Sequence, residues 1–225
     1  RMISSETGKP IAQAEREWGL SCDQFRWYAE EARRIYGRIV ESRVPGGRFE
    51  VTREPVGIVA AFTAWNFPVN LPSRKLAAAL AAGCSVVLKP AEETPGSAVL
   101  LLQCLLDAGL PAEAVQLVCG DPHEVSSRLI AHPAIAKVSL TGSVAVGRLL
   151  AEQCARHDKR FAGELGGHAP VIVCPDADVN AVLKLSVPAK FRNAGQVCAS
   201  PIRFFVARPL YERFVEGFVA GAQAL

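Results

Sequence analysis

Two residues of this sequence have the chemistry needed for covalent catalysis at a carbonyl group. Cys198 lies in the run Phe191-Arg-Asn-Ala-Gly-Gln-Val-Cys-Ala-Ser, and Glu164 lies upstream in Glu-Leu-Gly-Gly. A cysteine thiolate attacks carbonyl carbons, and a thioester formed in this way needs an activated water to release it. The sequence therefore predicts a nucleophile and a general base. The alternatives are an inert cysteine, since free cysteines are often buried, and a glutamate at a surface strand end.

Three other segments place polar groups directly after apolar runs. Asn66, in Trp65-Asn-Phe-Pro, could donate its carboxamide to an oxyanion, although asparagine before proline is also common in ordinary turns. Lys89 and Glu92, in Lys-Pro-Ala-Glu-Glu, could bond ribose hydroxyls or form a solvated charged turn. Gly142-Ser-Val-Ala-Val-Gly147 could start a phosphate-binding helix or an ordinary one, because its spacing is not G-x-G-x-x-G.

The elements that must position these residues alternate regularly along the chain. Strands are predicted at 56–62, 85–88, 115–118 and 137–140, and helices at 72–82, 97–108, 123–130 and 144–155. Strands that are apolar on both faces and separated by helices indicate an α/β fold with a doubly wound, Rossmann-like parallel sheet. Such a sheet binds nucleotides at the carboxyl ends of its strands.

The two flanks of this sheet have different patterns. Apolar residues recur at helical spacing over 20–39, which predicts an amphipathic helix. Pro45-Gly-Gly ends the pattern before an exposed strand or arm at 48–52, within a candidate oligomerisation arm at about 44–53. Beyond 163, strands are predicted at 170–174 and 203–207 and helices at 179–193 and 209–225. We therefore expect a cofactor domain over 1–163 and the start of an α/β catalytic domain over 164–225.

Composition narrows the function classes. The 225 residues include 25 Lys and Arg against 22 Asp and Glu, a net charge of +3 that is scattered, so we expect neither nucleic acid nor a membrane as a partner. Seven cysteines without a C-x-x-C pair indicate reduced thiols and a cytoplasmic location. The first residue is Arg1 and the last, Leu225, lies inside a helical pattern, so we expect a piece of a longer protein.

Taken together and in this order, the motifs resemble those of the aldehyde dehydrogenase superfamily. The similarity covers essentially the whole chain and rests on Glu54-Pro-Val-Gly, Trp65-Asn-Phe-Pro, Lys89-Pro-Ala-Glu, Leu140-Thr-Gly-Ser, Glu164-Leu-Gly-Gly and Gly195-Gln-Val-Cys. The resemblance implies that Cys198 is the nucleophile, Glu164 the base, and Asn66 with the Cys198 N–H the oxyanion hole. It also implies a cofactor site for NAD, or NADP, formed by Trp65, Lys89, Glu92, Gly142, Ser143 and Gly147.

Within the superfamily, two arginines resemble those of succinate-semialdehyde and 2-oxoglutarate-semialdehyde dehydrogenases. Arg74 and Arg192 would bind the far carboxylate of an ω-carboxylated aldehyde, because a guanidinium pairs bidentately with a carboxylate. Glu92 favours NAD, since its charge would repel the 2′-phosphate of NADP. The resemblance implies a homo-oligomer and no metal. The alternatives are a truncated, inactive nucleotide-binding module and an enzyme that passes its thioester to coenzyme A, which Glu164 argues against.

Three positions depart from the family pattern. Ala64 replaces the proline usual before Trp-Asn-Phe-Pro, and His168 follows Gly-Gly where Asn or Lys is commoner. Ser200 stands where some succinate-semialdehyde dehydrogenases have a second cysteine, so we expect no redox disulfide with Cys198. The downstream Glu-x-Phe-Gly-Pro motif, which would hold the nicotinamide ribose, does not occur in these residues.

Overall fold

A computed structural model describes all 225 residues, which fold as two compact units. The first unit is Arg1–Glu164 and the second is Leu165–Leu225, so Glu164 is the last residue of the first unit. No helix is both long enough and apolar enough to cross a membrane.

The N-terminal region contains two helices and a hairpin. Helices α1 (Met2–Thr7) and α2 (Ile11–Glu31) are followed by antiparallel strands β1 (Arg38–Glu41) and β2 (Arg48–Val51). The predicted helix over 20–39 is therefore wrong at both ends. Its last residues pair with β2 instead of continuing the helix. A side chain at position 37 would collide with the Val51 carbonyl, so glycine is required where the hairpin begins. The strand predicted within 44–53 is present and exposed.

The first unit is built around a five-stranded sheet of order β5-β4-β3-β6-β7, in which β3 pairs in parallel with β4 and β6, and β4 with β5. Its strands are β3 (Ile58–Phe62), β4 (Val86–Lys89), β5 (Val115–Leu117), β6 (Ile135–Gly142) and β7 (Arg160–Leu165). The connecting helices are α3 (Asn70–Ala81), α4 (Pro95–Asp107), α5 (Pro122–Ala131) and α6 (Val144–Arg156). The predicted strands and helices of this region are confirmed, whereas β7 was not predicted as an element.

Alternation along the strands covers both faces of the sheet. Val59 and Ala61 of β3 belong to one buried cluster with residues of α3 and α4. Ala60 and Phe62 belong to a second cluster with residues of α5 and α6. Successive side chains of a strand point to opposite faces, so helices pack on both sides. The doubly wound α/β fold is therefore confirmed, with its topological switch point between β3 and β6.

The second unit is smaller. Parallel strands β8 (Val171–Val173) and β9 (Phe204–Val206) accompany helices α7 (Val179–Phe191) and α8 (Tyr211–Gln223). Its core contains Phe204, Phe214 and Phe218, whose ring centroids lie 5.2–5.6 Å apart. The predicted strands and helices of this region are confirmed, with slightly shorter bounds.

Candidate functional site

Asn66 lies in a turn that two buried charges hold from a distant part of the chain. We call residues 65–70, between β3 and α3, the Asn66 turn. The Lys9 Nζ donates to the Asn66 carbonyl oxygen at 2.8 Å and lies 4.3 Å from the centroid of the Phe67 ring. Lys9 is also ion-paired with Glu17, and the residues are only 1% and 2% exposed. The remaining Glu17 oxygen accepts from the Val69 and Asn70 N–H groups at 2.9 and 3.1 Å.

Lys89 and Glu92 lie at the carboxyl end of β4 and bind each other. The Lys89 Nζ is ion-paired with the Glu92 carboxylate and donates to the Pro90 carbonyl oxygen at 3.1 Å. The Lys89 side chain is 7% exposed, whereas that of Glu92 is 46% exposed. A polar ligand can therefore reach the Glu92 carboxylate more readily than the lysine.

Ser143 caps the first turn of α6, directly after β6 ends at Gly142. Its hydroxyl oxygen accepts from the Val146 N–H at 3.3 Å, and residues 143–146 are exposed. Gly147 is buried one turn into the helix. Oriented N–H groups and the helix dipole make such an end suitable for an anion.

The N-termini of α3 and α4 differ from that of α6 because internal carboxylates already occupy them. Glu17 accepts from the first turn of α3, as described above. Glu6 accepts from the Gly96 and Ser97 N–H groups at 2.7 and 3.0 Å, at the start of α4. A second anion at either end would be repelled, so α6 provides the accessible helix N-terminus at the switch-point strands.

Helix α3 carries two cations, Arg74 and Lys75, with different surroundings. Arg74 is exposed, and its Nε donates to Asn70 Oδ1 at 3.0 Å. The Lys75 Nζ donates to Ser139 Oγ at 2.8 Å. Burial lowers the pKa of Lys75 to about 8, a fall that the charge of Glu164 opposes and that of Lys137 increases. Glu164, exposed on β7, therefore acts through its charge on a half-buried lysine.

Cys198 lies in a loop of the second unit that follows α7, here called the Cys198 loop (residues 192–200). Asn193 Nδ2 donates to the Gln196 carbonyl at 3.0 Å, and Gln196 Nε2 donates to the Asn193 carbonyl at 3.0 Å. Ser200 Oγ donates to the Lys190 carbonyl at 3.1 Å. Arg192 and Cys198 are both exposed. This loop presents a solvent-accessible thiol on a locally bonded backbone.

The sequence-predicted residues thus fall into two groups. One group lies at or just after the carboxyl ends of β3, β4 and β6, three neighbouring strands of one sheet: Trp65 and Asn66, Lys89 and Glu92, and Gly142 and Ser143. Arg74 and Glu164 belong to the same unit, whereas Arg192 and Cys198 belong to the second. Their catalytic and binding roles stay predictions.

The sequence matches the aldehyde dehydrogenase family over residues 1–225. The chain belongs to this family. It is 55% identical to 4-(hydroxymethyl)benzenesulfonate dehydrogenase TsaD1 of Comamonas testosteroni over 100% of the chain and 47% of that protein. It is 43% identical to the succinate-semialdehyde dehydrogenase [NADP(+)] GabD of Escherichia coli over 96% of the chain and 45% of that protein.

The fold of this aldehyde dehydrogenase chain matches solved members of the family. A succinate-semialdehyde dehydrogenase structure from Burkholderia pseudomallei superposes with a TM-score of 0.97 and 40% identity, over 100% of this chain and 46% of that one. The chain therefore spans slightly less than half the length of these relatives. Members of the family oxidise aldehydes with NAD or NADP, and the name of the E. coli relative specifies NADP.

The described residues fit a dinucleotide at this sheet edge. The exposed N-terminus of α6 suits a diphosphate, and the accessible carboxylate of Glu92 suits ribose hydroxyls. The two sites follow β6 and β4, which flank β3. Lys89 is ion-paired with Glu92, so it orients that carboxylate in addition to any contact that it makes with the cofactor itself.

Sequence reasoning missed three residues of this region. Lys9 and Glu17 lie in a segment to which no function was assigned, and none was assigned to Lys75, which follows Arg74 in the sequence. One signal was available for Glu17. It occupies the face of α2 that includes buried Ala14 and Ser21, where a charge requires a partner. The identity of that partner depends on the fold.

Proposed function

We propose that the whole protein oxidises an aldehyde carrying a negatively charged far group to the corresponding carboxylic acid, with NAD as the preferred acceptor. The observation that carries the proposal is the placement of the family's cofactor motifs after three neighbouring parallel strands. The charged far group is supported by Arg74 and Arg192, and by relatives whose names contain a benzenesulfonate and a succinate semialdehyde.

In this proposal the chemistry takes place on Cys198. Its thiolate attacks the aldehyde carbon, a C–S bond forms, and the carbonyl oxygen becomes an oxyanion. The Asn66 carboxamide and the Cys198 N–H donate hydrogen bonds to that oxygen and so lower the barrier. Bound NAD supplies the acceptor for the hydride that leaves the former aldehyde carbon, and a thioester remains on Cys198.

Hydrolysis then releases the product. Glu164 removes a proton from water, and the hydroxide oxygen attacks the thioester carbon. The C–S bond breaks, the carboxylic acid leaves, and Cys198 regains its thiolate. The half-buried Lys75 interacts with Glu164 through its charge.

The test compares charged aldehydes with neutral aldehydes of similar shape. Succinic semialdehyde is paired with butanal, and 4-formylbenzenesulfonate with benzaldehyde, while formation of reduced nicotinamide is followed. We expect a kcat/KM advantage of about ten- to a hundredfold for the charged members, the value of one charge-assisted hydrogen bond. Arg74→Met and Arg192→Met should reduce this advantage, and the exposed Arg26→Met should not.

The nucleophile is tested in the same assay. Cys198→Ala should abolish turnover, whereas Cys174→Ala, which removes an exposed thiol of the same unit, should leave it unchanged. Turnover that persists in Cys198→Ala contradicts the mechanism. A charged-aldehyde advantage that survives both arginine substitutions contradicts the substrate assignment alone.

The cofactor preference rests on Glu92. Its exposed carboxylate would accept from ribose hydroxyls of NAD and would repel the 2′-phosphate of NADP. We expect Glu92→Ser to lower the NAD/NADP ratio of kcat/KM by about tenfold, the effect of roughly 1.4 kcal/mol. Glu93→Ser is the matched control, because Glu93 is the adjacent exposed carboxylate. An unchanged ratio in Glu92→Ser would place cofactor selection elsewhere.

We also propose that the protein acts in the cytoplasm as a homo-oligomer. The support is a set of seven cysteines without a disulfide, as expected in a reducing compartment, and a hairpin β1–β2 whose apolar Ile39 and Phe49 are exposed. Mass determination in solution tests the oligomer.

A further inference from the structure

We propose that Lys9 and Glu17 are positioning residues for catalysis, which hold the backbone of the Asn66 turn so that the Asn66 carboxamide is in place before the aldehyde binds. This inference rests on the proposed function, in which Asn66 donates to the oxyanion. It assigns a role to two side chains outside the motifs: Lys9, in the link between α1 and α2, and Glu17, in α2.

The two charges contact the main chain of the Asn66 turn at separate places. Lys9 holds the carbonyl of Asn66, and Glu17 holds the N–H groups of Val69 and Asn70. Both ends of the turn are therefore held by hydrogen bonds to its main chain. Because these contacts are with the main chain, they fix the position of the Asn66 Cα without using its carboxamide.

The ion pair between Lys9 and Glu17 is buried. The side chains of Lys9 and Glu17 are 0% and 1% exposed. Removing two charges from water is costly, and apolar residues of similar volume often stabilise a fold equally well or better. An ion pair at this depth therefore contributes something other than net stability. It supplies directional contacts to three backbone groups, which apolar side chains cannot make.

The role proposed for Asn66 requires that the turn be held in a fixed position. An oxyanion donor is effective only when it is held where the negative charge develops, and an error of about 1 Å can cost about a hundredfold in rate. The turn follows β3 directly and leads into α3, so a small shift of its main chain moves Asn66. Attachment to the α1–α2 link and to α2 prevents that shift.

The experiment compares two variants, of which only the double variant leaves no charge unpaired. In the whole protein, the double variant Lys9→Met/Glu17→Met is compared with Glu17→Gln, which keeps the shape and an acceptor oxygen but removes the charge. We expect the double variant to lower kcat by about ten- to a hundredfold while the KM for NAD changes little. Glu17→Gln should show a smaller fall. In both, hydrogen exchange at Val69 and Asn70 should become faster.

A comparison with Asn66→Ala separates positioning from a purely structural effect. If the pair acts through Asn66, adding the pair substitution to Asn66→Ala should cause almost no further loss of kcat. The same fold-loss in both backgrounds would overturn the inference, and so would unchanged kcat in a folded variant whose turn amides exchange faster. If the double variant does not fold, the Glu17→Gln cycle decides by the same criteria.

Failure of the inference is distinguishable from failure of the proposed function. If Asn66→Ala alone retains full kcat, the oxyanion assignment is wrong. If Asn66→Ala lowers kcat and the pair substitutions lower it further by the same factor as in the parent, Asn66 keeps its assigned role and the pair does not position it.

Discussion

The Asn66 turn and the Cys198 loop are held by different physical means. The turn is fixed by two buried charges more than fifty residues earlier in the chain, Lys9 in the link between α1 and α2 and Glu17 in α2. The hydrogen bonds described for the loop join residues no more than ten positions apart. The turn therefore depends on tertiary structure, whereas the loop depends on its own backbone conformation.

Backbone strain adds to this difference. Asn193 and Ala194 both have φ near 55°, and Gly195 has φ 78°. The left-handed region is natural for glycine, tolerable for asparagine and unfavourable for alanine. Consecutive left-handed residues sharply redirect the chain after α7 and bring Cys198 to the surface. The difference implies that the turn is sensitive to distant charge, and the loop to local backbone freedom.

The largest effect should come from breaking the buried ion pair on one side only. Lys9→Met leaves Glu17 charged, buried and unpaired, and should lower the free energy of unfolding by about 3–5 kcal/mol. Urea titration followed by tryptophan fluorescence measures this change in the first unit, because Trp18, Trp27 and Trp65 all lie there.

The controls for this prediction are two. Arg26→Met breaks an exposed pair with Asp23 and should have no measurable effect. The double variant Lys9→Met/Glu17→Met should recover much of the lost stability, because no charge is then left alone. A single variant as stable as the parent would mean that the turn does not depend on the buried pair.

The second effect concerns pH and the helix that begins at the Asn66 turn. Lys75 has a pKa of about 8 when folded, against 10.5 as its ordinary value. Between these two pH values the unfolded chain binds more protons, so the free energy of unfolding should rise with pH in this window. Across this window the free energy of unfolding should rise by about 3 kcal/mol. Below pH 8 the folded protein carries the full cost of burying the charged Lys75 ammonium.

The measurement is the difference in free energy of unfolding between the parent and Lys75→Met, from pH 7 to 10 under reducing conditions. Lys75→Met should lack the rise. Lys137→Met should move its onset to higher pH, and Glu164→Gln to lower pH, because these charges respectively lower and raise the pKa of Lys75. Equal slopes in parent and Lys75→Met would contradict the assignment.

The same contrast explains what the sequence could predict. Runs 56–62 and 137–140 were assigned correctly because period and length depend on local residues, and parallel strands then bring their carboxyl ends to one edge. The hydrogen bonds that Glu17 accepts from the Val69 and Asn70 N–H groups could not be predicted, since these residues become neighbours only after α2 has packed beside α3.

One error has the same origin. The helical spacing of Phe25, Tyr28, Ile35 and Ile39 extended a predicted helix into residues that pair with β2 instead. The ion pair of Lys89 with Glu92, three positions along the chain, was not predicted either, and the role of Lys89 as a ribose ligand stays a prediction.

The smallest effect should come from the Cys198 loop. Ala194→Gly removes the steric penalty of a left-handed alanine, about 1–2 kcal/mol, and adds the entropy cost of a glycine, about 0.5–1 kcal/mol. We expect a net gain of about 0.5–1 kcal/mol. Ala199→Gly, in the same loop and without a positive φ, has only the entropy cost and should destabilise. Hydrogen exchange of peptides from residues 165–225 reports on this unit separately from the first. If Ala194→Gly and Ala199→Gly change exchange in the same direction, strain does not set the stability of the Cys198 loop, and distant contacts hold it as they hold the Asn66 turn.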